Sequence, residues 1–123
     1  MKMVLVIDDE PEVVDPIKDC LEGNGYRVAT AYSGEEGLEK ALSAPPDIIL
    51  LDILMPQMDG YEVLRRLRAV PGTRHTPILI LTAKGETSSI LKSQELRVSD
   101  YLIKPVTLEA LLDSVRKHLV LCI

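Results

Sequence analysis

Three short apolar runs constrain the fold of this chain more than any other feature. Met3–Ile7, Ile48–Leu51 and Ile78–Leu81 are built from Val, Ile, Leu and Met, with no polar residue in alternation. A strand with one wet face alternates apolar and polar side chains, so uninterrupted runs of this length suit a parallel sheet covered on both faces. Tyr26–Ala31 mixes Arg27 and Thr30 into its pattern and reads as an edge strand, and Tyr101–Ile103 is a short fifth candidate.

Helical patterns separate these runs. The first spans Pro11 to Glu22, with Val14, Ile17 and Leu21 on one face and Gly23 or Gly25 as its stop. Ser33-Gly34-Glu35-Glu36 is a capping box that leads into Leu38, Ala41 and Leu42. Asp59-Gly60-Tyr61-Glu62 resembles a second, leading into Val63, Leu64 and Leu67. A fourth helix around Thr87–Leu96 has the weakest pattern. In the last one, Thr107 is the N-cap and Leu108, Leu111, Leu112, Val115 and Leu119 share a face. Strands alternating with helices predict an α/β fold with a parallel sheet and right-handed crossovers. The expected arrangement is a flavodoxin-like, doubly wound, five-stranded sheet of order 2-1-3-4-5 with five helices, one of the common orders of such sheets.

Two features strain this outline. Pro16 falls inside the first helix, where it deletes a hydrogen bond to Glu12, so a kink or a first turn that is not α-helical is expected. Pro71-Gly72-Thr73-Arg74-His75-Thr76-Pro77 reads as a long, polar, mobile loop.

Composition narrows the function. The 123 residues, 46% of them hydrophobic, fit one domain over 1–123, without linker or repeat. A net charge of −5 and the absence of a basic cluster beyond Arg65, Arg66 and Arg68 argue against direct nucleic-acid binding. The N-terminal apolar run is too short for a signal peptide or a membrane span. Cys20 and Cys122 are far apart, which fits reduced thiols and a cytoplasmic protein. His75 and His118 have no partner at metal-ligand spacing and read as surface residues.

The chemistry lies where the strands end. In an open parallel sheet, ligands bind beyond the carboxyl ends of the strands, where the strand order reverses. In the order 2-1-3-4-5 that point lies between the first and third strands, which end in Asp8-Asp9 and in Asp52. Singly, each acid is more often a cap or turn residue. Three together repel one another, and hard oxygen donors without Cys or His suit Mg²⁺ beside a phosphoryl group. The fourth strand ends at Thr82 and the fifth at Lys104, adding a hydroxyl and a cation. Such a set can neutralise and position a phosphoryl group in transfer, with Asp52 as nucleophile and an acyl phosphate as product.

The segments DDE at 8–10, LLDILMPQMDG at 50–60, LTA at 81–83 and YLIKP at 101–105 closely resemble the receiver domains of two-component response regulators, over essentially the whole chain. The resemblance implies that Asp52 is the phosphoacceptor and that Asp9 ligates Mg²⁺ directly. It further implies that Asp8 acts mainly through a water and that the backbone carbonyl of Leu54 completes the protein ligands. Lys104 would pair with the phosphoryl group, Thr82 would move to hydrogen-bond it, and Tyr101 would rotate inward behind it. The Lys104–Pro105 bond would be cis. The donor would be a phosphohistidine on a sensor histidine kinase or phosphotransfer protein, with small acyl phosphates as substitutes. The kinase would dock near Val14, Ile17 and the loop at Pro105-Val106. The output partner or effector domain is unknown, and the face of the fourth helix, fifth strand and last helix would carry the signal, with room for a homodimer. The chain would catalyse only its own phosphorylation and dephosphorylation.

Two departures from the family pattern fall on that face: Arg97-Val98-Ser99-Asp100 replaces a usual Gly-Ala pair, and Val106 replaces a usual aromatic. A phosphohydrolase of the haloacid dehalogenase type is the competing class, but it wants a second Asp two residues after the nucleophile, where Leu54 stands. A phosphate-independent receiver-like interaction module would have lost an acid or Lys104, and neither is lost. The apolar tail Leu119-Val120-Leu121-Cys122-Ile123 suits either packing on a neighbour or a receiver cut from a longer protein.

Overall fold

The expected sheet forms, and its two faces divide the apolar side chains by parity. The computed structural model describes residues 2–53, 59–83 and 98–120. In chain order these form β1 (Met3–Ile7), α1 (Pro11–Gly23), β2 (Arg27–Ala31), α2 (Gly34–Ser43), β3 (Ile48–Asp52), α3 (Gly60–Ala69), β4 (Ile78–Ala83), β5 (Asp100–Lys104) and α4 (Leu108–Val120). The helix expected around Thr87–Leu96, together with Leu54, Pro56, Cys122 and the end of the apolar tail, lies outside the described residues.

The sheet has the order β2-β1-β3-β4-β5, and every neighbouring pair is parallel. Successive side chains on a strand point to opposite faces. Leu5, Ile7, Ile49, Leu51, Ile78 and Ile80 therefore meet α2 and α3 through Leu38, Ala41, Val63, Leu64 and Leu67. Val4, Val6, Ile48, Leu50, Leu79 and Leu81 meet α1 and α4 through Val14, Ile17, Leu21, Leu111, Val115 and Leu119. Burial on both faces explains why the sequence shows no alternation in β1, β3 and β4. β2 and β5 are the edges, and both are only partly covered. No helix among the described residues is long and apolar enough to cross a membrane.

The helix termini follow their sequence signals, with differences in detail. Ser33 Oγ accepts from the Glu36 amide at 3.1 Å, while the Glu36 carboxylate reaches back one residue further, to the Tyr32 amide. Asp59 Oδ1 accepts from the Tyr61 amide at 2.7 Å, whereas Glu62 pairs with Arg65 and Arg66 instead of closing the box. Thr107 Oγ1 caps α4 through the Ala110 amide. Gly25, at φ +92°, takes the left-handed position after α1.

One of the two alternatives at Pro16 falls away, and one expectation needs correction. The first turn of α1 is α-helical despite Pro16. The carbonyl that loses its donor belongs to exposed Glu12, where water can replace it, and buried Val14, Ile17 and Leu21 hold the helix on the sheet. The segment 71–77 is tied down rather than loose. Thr73 is fully buried and its hydroxyl donates to the Leu67 carbonyl at 2.6 Å. The Arg68 guanidinium donates to the carbonyls of Thr73, Arg74 and Thr76. Polar composition marked a loop, but these polar groups bond the loop to the end of α3.

Gly60 has a reason beyond turn formation. A Cβ placed there would lie 2.5 Å from Ile53 Cα and 2.7 Å from the Ile53 carbonyl oxygen, so α3 starts in direct backbone contact with the end of β3. Gly60→Ala is expected to destabilise the protein by about 1–3 kcal/mol through overpacking against backbone that cannot yield. Thr73→Val should cost about 1–3 kcal/mol by stripping the Leu67 carbonyl of its donor. Urea unfolding midpoints check both, and an unchanged midpoint would refute the packing argument for that residue.

Candidate functional site

The carboxyl ends of β1, β3 and β5 converge on one crevice. β1 stops at Ile7, and the Asp8 amide still donates to the Ala31 carbonyl at 3.0 Å, so Asp8 leaves the sheet only with its side chain. The Glu10 amide then donates back to Asp8 Oδ1 at 3.0 Å. This side-chain turn, followed by Pro11 at the first helical position, swings the chain into α1. Neighbouring acids that would diverge on a strand thereby reach the same space. Asp52 is the last residue of β3, paired with Leu81, and is 2% exposed.

Carboxylate oxygens of Asp8, Asp9, Glu10 and Asp52 all lie within 4.8 Å of one another. Asp8 is fully buried, Asp9 half-buried and Glu10 exposed. Lys104, the last residue of β5, holds this cluster together. Its ammonium lies 3.0 Å from Asp8 Oδ2, 3.3 Å from Asp52 Oδ2 and 3.4 Å from Glu10 Oε1. Burial pulls its pKa down, but the hydrogen bond to Asp8 and the charges of Asp52 and Asp8 outweigh that and raise it above 10.5. The peptide bond to Pro105 is cis.

The sequence-predicted residues divide clearly by position. Asp8, Asp9, Asp52 and Lys104 come together. Thr82 sits in β4 beside them in register with Ile103, and its side chain is outside the described set, as is all of Leu54. Tyr101 is half-buried against the α2 and α3 side of the core, and its amide donates to Asp100 Oδ1. Glu10, the third acid of the DDE segment, also contacts Lys104 directly. Its position after two site acids was a signal, but only the fold shows that β5 delivers the ammonium to it.

This arrangement has the donor chemistry of a hard divalent cation. Among the described residues the cluster offers oxygen ligands alone, packed closely enough to share an ion. Asp8, Asp9 and Asp52 are the residues that would hold Mg²⁺, and they fit it.

Comparison with known proteins agrees with this geometry. A family model described as the response regulator receiver domain matches residues 4–116. The alkaline phosphatase synthesis transcriptional regulatory protein PhoP of Bacillus subtilis is 44% identical over 104 residues, covering 85% of this chain and 42% of that protein. The DNA-binding dual master transcriptional regulator RpaA of Synechocystis is 38% identical over 116 residues, covering 94% and 48%. The chain thus spans about half the length of these relatives. Among solved structures, the chemotaxis protein CheY4 of Vibrio cholerae superimposes with a TM-score of 0.90 at 32% identity, over 95% of this chain and 98% of that one. An acid-lined crevice at the switch point of a β2-β1-β3-β4-β5 sheet, closed by a strand-end lysine and matched by the family model across 4–116, places this chain in the response regulator receiver domain family.

Proposed function

We propose that residues 1–123 form one receiver domain that works as a phosphorylation-driven switch, with Asp52 as phosphoacceptor. The observation that carries this reading is the Lys104 ammonium held between Asp8 and Asp52 beside Asp9, at the end of a sheet whose strand order reverses there. An Asp52 carboxylate oxygen attacks the phosphorus of the donor, and the new P–O bond forms as the bond to the leaving group breaks. From a phosphohistidine of a sensor kinase or phosphotransfer protein the leaving group is the imidazole, and from acetyl phosphate it is acetate.

Asp8, Asp9 and Asp52 would hold Mg²⁺, Asp9 directly and Asp8 mainly through a water, with the carbonyl of Leu54, which lies outside the described residues, as a further ligand. When bound, the ion supplies charge neutralisation for the incoming phosphoryl oxygens. Lys104 neutralises another of these oxygens, and Thr82 hydrogen-bonds the product. Tyr101 follows inward, and the faces of β5 and α4 pass the change to an output partner, effector segment or second copy. Binding of that anion by Thr82 and Lys104 exists only in the phosphorylated state, so it can shift the population between two conformations. The named relatives include a transcriptional regulator and a DNA-binding one. A comparable output would come from a segment other than this acidic domain, whose net charge is −5.

Incubation with acetyl phosphate and Mg²⁺ should add one phosphoryl group by intact mass, chelation should prevent it, and Asp52→Asn should take up none. Equal uptake by Asp52→Asn would overturn the assignment. Lys104→Met is expected to destabilise the ion-free protein by about 1–3 kcal/mol, because Asp8 and Asp52 lose their shared counter-charge. The sign of the pH effect follows from the raised pKa. Stabilisation by Lys104 is fully present below pH 10.5 and is lost as pH climbs through the higher folded-state value. The stability gap between wild type and Lys104→Met should therefore close as pH rises into strong alkali, as read by urea unfolding at several pH values.

A further inference from the structure

The Lys104 ammonium has three N–H donors, and three carboxylates surround it: Asp8 at 3.0 Å, Asp52 at 3.3 Å and Glu10 at 3.4 Å. The contact to Glu10 has the geometry of a hydrogen bond, and those to Asp8 and Asp52 are ion pairs. Two of these carboxylates belong to the crevice that a divalent cation would occupy, and the cation competes with Lys104 for their oxygens. Glu10 lies in the same cluster but is its exposed member. It is exposed at the start of α1, and its side chain reaches from the β1–α1 turn across to the end of β5. When Asp8 and Asp52 are engaged elsewhere, Glu10 is the carboxylate still able to hold the ammonium, and it holds it at the rim.

We propose that Glu10 is a positioning residue that restrains Lys104 and so slows phosphorylation of Asp52. This rests on the reading of Asp52 as phosphoacceptor. The restraint acts through the ion pair, not through ligation of the metal, and has two structural supports. The Glu10 backbone is fixed, since its amide is bonded to Asp8 Oδ1 and its carbonyl accepts from Val13 and Val14. Its side chain, by contrast, is solvated, so it can release Lys104 at small cost. A pair of this exposure is weak, which suits a contact that must break on every cycle.

Two substitutions separate restraint from simple charge. Glu10→Gln removes the charge at constant shape, whereas Glu10→Asp keeps a rim charge but shortens the arm by one methylene and loses reach to Lys104. Phosphorylation by acetyl phosphate is followed by intact mass at Mg²⁺ concentrations that calorimetry shows to be saturating for each variant. Both variants should be phosphorylated faster than wild type, by about two- to fivefold, the range expected from breaking one exposed ion pair. In the ion-free proteins, the ¹³Cε signal of Lys104, assigned with Lys104→Arg, should move in both variants.

Acceleration by Gln alone would mean that Glu10 merely repels an anionic donor, and would overturn the proposal. Unchanged rates, a stationary Lys104 signal, or a tenfold or greater loss of Mg²⁺ affinity in Glu10→Gln would overturn it as well. If wild type takes up phosphate and the variants behave as it does, only the role of Glu10 fails. If wild type takes up none, the reading of Asp52 fails with it.

Discussion

The Lys104 ammonium is shared by three of four clustered carboxylates at the end of an apolar sheet. Asp8, Asp9, Glu10 and Asp52 repel one another at the separations observed, and two of them are buried beyond the reach of bulk water. Burying a charge is tolerable only when it is paired or bonded. Lys104 supplies that pairing from β5, the far edge strand, so the site exists only when the sheet is complete from β1 across β3 and β4. The apolar ladder and the charged crevice are thus parts of one structure. Side chains buried on both faces of the sheet provide the stability from which an electrostatically strained site can be maintained.

That dependence explains what the sequence made legible. Strands buried on both faces must be continuous apolar runs, so β1, β3 and β4 could be read directly from Met3–Ile7, Ile48–Leu51 and Ile78–Leu81. Asp8, Asp9, Asp52 and Lys104 could be located because residues at strand ends are placed by strand order, and the order 2-1-3-4-5 puts the ends of β1 and β3 side by side. Side-chain reach was harder to see. Nothing in the pattern distinguishes Glu10 as a solvated rim acid from Glu10 as a partner of Lys104, since the two residues are brought together only by long-range topology. The same limit applies to the segment 71–77. Its composition marks a loop, while its order comes from where Arg68 and Thr73 aim their donors once α3 is packed.

Gly60 shows how a residue chosen for a turn also transmits position. Its Cα lies against the backbone of Ile53, and its amide donates to the Ile53 carbonyl at 3.1 Å, so the start of α3 is fixed to the residue after Asp52. Asp59 caps the same helix through the Tyr61 amide. Close backbone packing is stiff, and small displacements at Asp52 therefore reach α3 directly instead of being absorbed by side-chain rotation.

A switch of this kind needs a resting state that is stable but not satisfied. Among the described residues, the resting crevice sets the Lys104 ammonium, shared among Asp8, Asp52 and Glu10, against a cluster of four acids. In the proposed function a cation would relieve that imbalance, and a phosphoryl group on Asp52 would then restore negative charge as an anion that Lys104 could follow. The free energy available for a conformational shift is the difference between these two arrangements of the same lysine, since a ligand moves an equilibrium only by its differential interaction with the two states. An ammonium bound too firmly at rest would blunt that difference, and one held too loosely would leave buried Asp8 and Asp52 without a counter-charge. Partners of graded burial, from fully buried Asp8 to exposed Glu10, give Lys104 a hold that is strong at its base and weak at its tip.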